Sequence, residues 1–228
     1  MSPQTNKSIL KGDLGTFGWN FIHKAKTNSL AVNSRPHITG INRNCRRCHK
    51  TEETMSHAIQ FCLPNMSMIT KRHDACLQKV YNKLKNPDFI IILDDTCPYI
   101  KGCNLRVDLM ITHVSKKKIF LVDMKCPMDT RQNFEIANNK NLEKYANLRK
   151  ELQSLFKDHS VELFTLIIGS LGTISSNASN ILIKIGIPES DVGNLLRFCA
   201  ISNIEHSSKI WHYHHSGNLI QFDSKSNH

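Results

Sequence analysis

Hydrophobic and polar positions divide this chain into stretches of different period. Residues 105–125 carry two β-rich apolar runs joined by a polar turn at Ser115 and Lys116, which predicts a hairpin. Asp108 interrupts the first run, and Asp123 and Lys125 interrupt the second. Side chains alternate along a strand, so Asp123 and Lys125 share a face, and a turn centred on Ser115-Lys116 sets Asp108 opposite Asp123. Upstream, residues 67–85 place Met68, Ile69, Ala75, Cys76, Val80 and Leu84 in an approximate helical stripe that Asn86-Pro87 ends. Residues 89–93 form a bulky apolar run of strand length, predicted to be buried. The segment 94–102 predicts a loop through Pro98 and Gly102, and Cys97 and Cys103 read as ordinary buried or half-buried thiols.

Pro127 ends the second hairpin strand. In residues 134–156, Tyr145, Leu148, Leu152 and Leu155 recur at helical spacing among charged residues, the best helix in the chain. Residues 161–168 are nearly continuous in apolar character and predict a central strand buried on both faces. Residues 177–211 predict helical segments punctuated by Gly186, Pro188 and Gly193, and His212, Tyr213, His214 and His215 predict a solvated tail. Residues 1–43 hold Gly12, Gly15, Gly18 and the helix-breaking Arg35-Pro36, with Trp19, Phe21 and Ile22 too few to form a core. The order helix, strand, strand, strand, long helix, strand predicts an α/β (α+β) domain with a mixed sheet of about four strands flanked by helices.

Cysteine and charge add chemistry to that frame. The chain has 228 residues, enough for one main domain and a small appendage. No window is apolar enough to cross a bilayer and residues 1–11 lack a signal-peptide core, so an intracellular protein is expected and its 8 cysteines read as thiols or metal ligands. Cys45, Cys48, His57 and Cys62 follow the spacing Cys-x2-Cys-x8-His-x4-Cys, the ligand set of a closed structural Zn²⁺ site. His49 is a weaker ligand candidate, since it directly follows Cys48 and would crowd the knuckle. With every position filled by protein, this zinc holds structure and is expected to present Arg43, Arg46, Arg47 and Lys50 to phosphate. A formal net charge of +11 points to a polyanionic partner, nucleic acid rather than membrane.

The hairpin residues suit metal-assisted phosphodiester chemistry. Two carboxylates can hold Mg²⁺, and a lysine can face the nucleophile or the developing charge. Asp88 competes for the first acidic position, but the hairpin register favours Asp108. Lys140 and Lys144 lie one helical turn apart on the long helix, where they can reach a site at the sheet edge.

Further strings carry a resemblance. Cys45-Arg-Arg-Cys48 with His57 and Cys62, Arg72-His73-Asp74, Val122-Asp123-Met-Lys125-Cys-Pro127, Lys144-Tyr145 and Ile168-Gly-Ser-Leu-Gly-Thr173 occur in that order. Together with 25–30, they resemble the C-terminal region of site-specific non-LTR retrotransposon polyproteins of the R-two type. The resemblance implies a CCHC zinc knuckle at 44–66, after a lead-in at 1–43 and before a restriction-like endonuclease of the PD-(D/E)xK fold at 67–228. It implies that Asp108 and Asp123 bind catalytic Mg²⁺, that Lys125 or else Lys140 is the catalytic lysine, and that the domain nicks target DNA to prime reverse transcription. Its partners would be the DNA target and the element RNA, and its location the nucleus. This sequence departs from the family at Val107, where proline is usual, and at Ile174, where tryptophan is frequent. Asp94-Asp95 has no polymerase context, so no reverse transcriptase site is expected.

Overall fold

The computed structural model describes residues 14–35 and 42–218, and the chain divides into two compact units within them. Gly12 and Pro36, both read above as breakers, lie outside the described residues. No described helix is long and apolar enough to cross a membrane.

The first unit, His73–Asn203, is mixed α/β. Strands β1 (Phe89–Thr96), β2 (Arg106–His113), β3 (Lys118–Lys125) and β4 (Ser160–Ile167) form a sheet in the order β1-β2-β3-β4. The first three pair antiparallel, and β3 pairs parallel with β4. A parallel neighbour requires a crossover, supplied by the helix Arg131–Leu155, whose N-cap Thr130 hydroxyl accepts the Asn133 N–H at 3.2 Å. The β2–β3 register sums as expected for a turn centred on Ser115-Lys116, with Leu109 paired to Val122 and His113 to Lys118.

Alternation along β2 and β3 splits the apolar residues between two cores. Leu109, Ile111, Phe120, Val122 and Met124 pack with Cys76, Leu77 and Val80 on one face, whereas Met110, Ile119 and Leu121 pack with Tyr145, Leu148 and Leu152 on the other. β2 and β3 are therefore the strands buried on both faces. Two expectations change here. β4 lies at the edge of the described sheet, and its apolar run reflects contact with the crossover helix rather than a central position. Residues 89–93 likewise begin an edge strand that runs to Thr96, and Ile90 is 52% exposed.

The Gly-Ser-Leu-Gly segment after β4 is a tied turn. Asp129 accepts the Leu171 and Thr173 N–H groups, each at 2.7 Å, and Gly172 has φ of 87°. A Cβ on Gly169 would lie 2.4 Å from Asp129 Oδ1. Gly169→Ala is expected to displace that carboxylate and to lower stability by about 1–3 kcal/mol in urea unfolding, the scale of local overpacking.

The second unit comprises the described parts of Leu14–Arg72 and Ile204–His228. Its first helix, α1 (Thr16–Lys26), buries Phe21, Ile22 and Ala25. Residues read above as too sparse for a core thus contribute to one, because their partners come from distant parts of the sequence. Phe17 stacks on His212, with ring centroids 3.8 Å apart. The next helix, α2 (Met66–Lys83), and the last, running Glu189–Ser216, each contribute residues to both units. Between them the crossover helix is α3 and Ala178–Lys184 is α4, which makes the last helix α5. Gly193 lies inside α5 rather than ending a segment, and residues 212–215 continue that helix instead of forming a tail.

Candidate metal centres

The first candidate centre is built on a turn. Cys45 and Cys48 flank a tight bend in which the His49 N–H donates to the Cys45 carbonyl, leaving His49 exposed with φ of +56° and outside the cluster. His57 and Cys62 are joined by a π-helical turn, His57–Phe61, in which the Cys62 N–H donates to the His57 carbonyl. That i to i+5 bond is why a spacing of five works here: it brings both side chains to one side.

The donor atoms of Cys45, Cys48, His57 and Cys62 all lie within 4.8 Å of one another. Cys45 Sγ and Cys62 Sγ are 3.7 Å apart, close to the roughly 3.8 Å edge that a tetrahedron of 2.3 Å Zn–S bonds requires. Cys48 Sγ lies 3.3 Å from His57 Nε2. The cysteines are free thiols. This set can hold a metal ion, and its sulfur-rich tetrahedral arrangement is compatible with zinc. Thr51 Oγ1 sits 3.1 Å from His57 Nδ1 and orients the ring so that Nε2 faces the sulfurs.

Around the cluster, two of the arginines expected to face phosphate are committed inward. Arg46 donates through Nε and Nη2 to the fully buried Glu53 and through Nη2 to the Ala31 carbonyl. Burial opposes the Glu53 charge, but the hydrogen bonds from Arg46 and Asn33 hold its carboxyl down at about 2. Arg47 donates to the Tyr213 and His214 carbonyls at 2.5 and 2.9 Å. Arg43 forms an exposed ion pair with Glu52, and Lys50 is exposed. The physical reason is that a buried acid and backbone carbonyls that end without a partner are costly, and these guanidinium groups satisfy them. His214, expected in solvent, is fully buried against this cluster.

The second candidate centre lies where β2 and β3 separate. Their ladder ends at Leu109 and Val122, one pair short of Asp108 and Asp123, and the Met124 N–H donates to Asp108 Oδ2 at 2.6 Å. His73, on α2, sits with Nε2 3.1 Å from the same oxygen. Asp123 is 1% exposed. Its Oδ2 pairs with Lys125 Nζ, and its Oδ1 lies 2.9 Å from the Tyr145 hydroxyl. That hydroxyl also contacts the Arg106 carbonyl at 2.5 Å and receives Lys144 Nζ at 2.6 Å.

The two acids titrate in opposite directions. Burial raises Asp123, and the neighbouring Asp108 charge raises it further, so its carboxyl stays above the ordinary range despite Lys125. Burial also opposes ionised Asp108, but His73 and the Met124 N–H outweigh it and hold this carboxyl low. Burial disfavours the charged His73 ring, yet Asp108 carries it up to about 9.

The structure thus pairs Asp123 with Lys125, and places Asp108, held by His73 and the Met124 N–H, close enough for its charge to act on Asp123. Lys140 is exposed on α3 and makes no ion pair or hydrogen bond with either acid, while Lys144, one turn on, reaches the group through Tyr145. Asp88 lies at the other end of β2, where Ser115 and His113 engage it. In the sequence His73 and Tyr145 stand out only within the strings Arg72-His73-Asp74 and Lys144-Tyr145, which assign them no contact with the acids. A buried tyrosine needs a partner for its hydroxyl, a further signal that Tyr145 carries within its apolar stripe. Compared with protein-family models and with curated proteins, the chain matches none of them.

Proposed function

We propose that this chain is a divalent-metal-dependent DNA endonuclease, the PD-(D/E)xK nuclease region of an R-two-type retrotransposon polyprotein, with a structural zinc knuckle. The observation that supports the proposal is the Asp123–Lys125 pair at the open end of the β2–β3 ladder, with Asp108 anchored beside it on the Met124 N–H. The order α2-β1-β2-β3-α3-β4, with β3 and β4 parallel across α3, is the topology expected of that fold.

The residue types suit a hard cation. Both ligand groups are carboxylates, and the Asp108 charge raises Asp123, a repulsion that a divalent ion between them relieves. Bound Mg²⁺ supplies Lewis acidity toward a phosphodiester and acidifies an attacking water. The protein's part is to hold the carboxylates: the Met124 N–H fixes Asp108, and the Tyr145 hydroxyl fixes Asp123. Lys125 is 37% exposed beside the nearly buried Asp123, so its ammonium can turn from the acid to a phosphate oxygen. The +11 charge supplies sequence-independent attraction to DNA and to the element RNA, and a nuclear location follows from the target.

The test is nicking of supercoiled plasmid by the zinc-loaded chain in Mg²⁺, with Asp108→Ala as the control. Nicking that needs Mg²⁺ and disappears in the variant is expected. Salt-sensitive DNA binding with no cleavage in Mg²⁺ or Mn²⁺ would favour a second reading, a nucleic-acid-binding module on a degenerate nuclease fold. That reading is favoured by Val107 in place of proline and by the cationic partner each acid already has, His73 and Lys125.

A further inference from the structure

His214 approaches the knuckle from α5, and its role follows from which nitrogen carries the proton. The ring is fully buried. Its Nε2 lies 3.7 Å from Cys45 Sγ and 3.3 Å from Glu53 Oε2, and its Nδ1 lies 2.9 Å from Asn65 Nδ2. Cys45, Glu53 and His214 therefore form a second group with metal-ligand geometry that shares Cys45 with the first.

Hydrogen bonding decides between a ligand and a donor. Asn65 Nδ2 also donates to the Ala58 carbonyl at 2.7 Å, which fixes the amide orientation because its oxygen cannot face another acceptor. With the NH₂ group turned toward His214, Nδ1 must accept. A neutral imidazole that accepts at Nδ1 carries its proton on Nε2, the nitrogen aimed at Cys45 and Glu53. His57 is open to the opposite arrangement: Thr51 Oγ1 lies 3.1 Å from Nδ1, and an Nδ1–H donated to that hydroxyl leaves the Nε2 lone pair toward the sulfurs. Glu53 is in turn occupied by Arg46 and by the Asn33 N–H. A bare carboxylate and a bare imidazole nitrogen, which a second metal ion would need, are both lacking.

We propose that His214 is a positioning residue for the zinc site: its Nε2–H is shared between the Cys45 thiolate and Glu53, lowers the charge on that sulfur, and makes metal affinity depend on the end of α5. The proposal rests on zinc occupying the four-ligand knuckle and is independent of nuclease activity. Partners that hydrogen-bond and orient ligands in this way change metal affinity by about 10–100-fold.

The direct test is NMR of the full chain, ¹⁵N-labelled at histidine and loaded with ¹¹³Cd. The expected spectrum shows ¹⁵N–¹¹³Cd coupling at His57 Nε2, none at His214, and His214 as the Nε2–H tautomer with a small coupling from that proton to cadmium through the sulfur. Direct ¹⁵N–¹¹³Cd coupling at His214, or an Nδ1–H tautomer there, overturns the proposal while leaving the knuckle intact. A chain that takes up no cadmium overturns the knuckle and this proposal with it. In the Co²⁺ form, His214→Ala is expected to move the thiolate-to-cobalt charge-transfer band to longer wavelength and to weaken metal binding about tenfold. His214→Gln, which keeps an N–H donor, is expected to restore part of both. An unchanged band and affinity in His214→Ala also overturns it.

Discussion

Asp123→Ala is expected to lower Mg²⁺-dependent plasmid nicking by about a thousandfold or more, the scale on which loss of an essential catalytic group is read. Salt-sensitive binding to DNA is expected to survive, because that affinity comes from distributed lysines and arginines rather than from one acid. Asp123 is nearly buried and satisfied by Lys125 and Tyr145, so its removal also leaves a cation and a hydroxyl without their partner. Asp123→Asn keeps the shape and separates the effects: activity falls as in the alanine variant while the thermal midpoint stays closer to wild type. Among the lysines, Lys125→Ala is expected to reduce nicking strongly and Lys140→Ala to leave it unchanged, since only Lys125 pairs with Asp123. Equal nicking by wild type and both Asp123 variants would remove the site from the mechanism.

The second large effect concerns zinc. One tightly bound zinc per chain is expected by metal analysis, and Cys48→Ser is expected to lose it. Structural zinc contributes roughly 10–16 kcal/mol of apparent binding energy in small finger units, comparable to or above the net stability of a whole domain. The knuckle ligands themselves sit on a tight bend and a single π-helical turn, with buried polar groups such as Glu53 and Arg72 around them. Stripping the metal with a chelator is therefore expected to lose helical circular dichroism and to expose 42–72 to protease. A chain with no zinc as purified, or one that keeps its protease resistance after chelation, contradicts the structural role.

What the sequence made legible were the local periods and the ligand spacing. The hairpin register, the two middle strands, the long crossover helix and the four knuckle ligands each follow from contacts within a short span. An apolar run looks the same whether a neighbouring strand or a packed helix covers it, so β4 reads as a central strand although it lies at the edge. The apolar residues of α1 and the histidines of 212–215 differ for another reason: Phe17 and His212 meet across nearly the whole chain, and no local pattern records such a partner. The same holds for His73, which reaches Asp108 from 35 residues away, and for Arg46 and Arg47, whose positive charge signalled phosphate but whose hydrogen bonds are internal. At the acidic site, residue type gave Asp108, Asp123 and Lys125, while the groups that fix them came only with the fold.

The claim at the centre of this account is that Asp108 and Asp123 together hold a divalent cation, and a Mn²⁺ titration of the zinc-loaded chain followed by electron paramagnetic resonance tests it most directly. Saturable Mn²⁺ binding is expected, displaced by Mg²⁺ and lost in the Asp108→Ala, Asp123→Ala double variant while its zinc content is unchanged. Mn²⁺ bound equally by wild type and that double variant, or by neither, would contradict it.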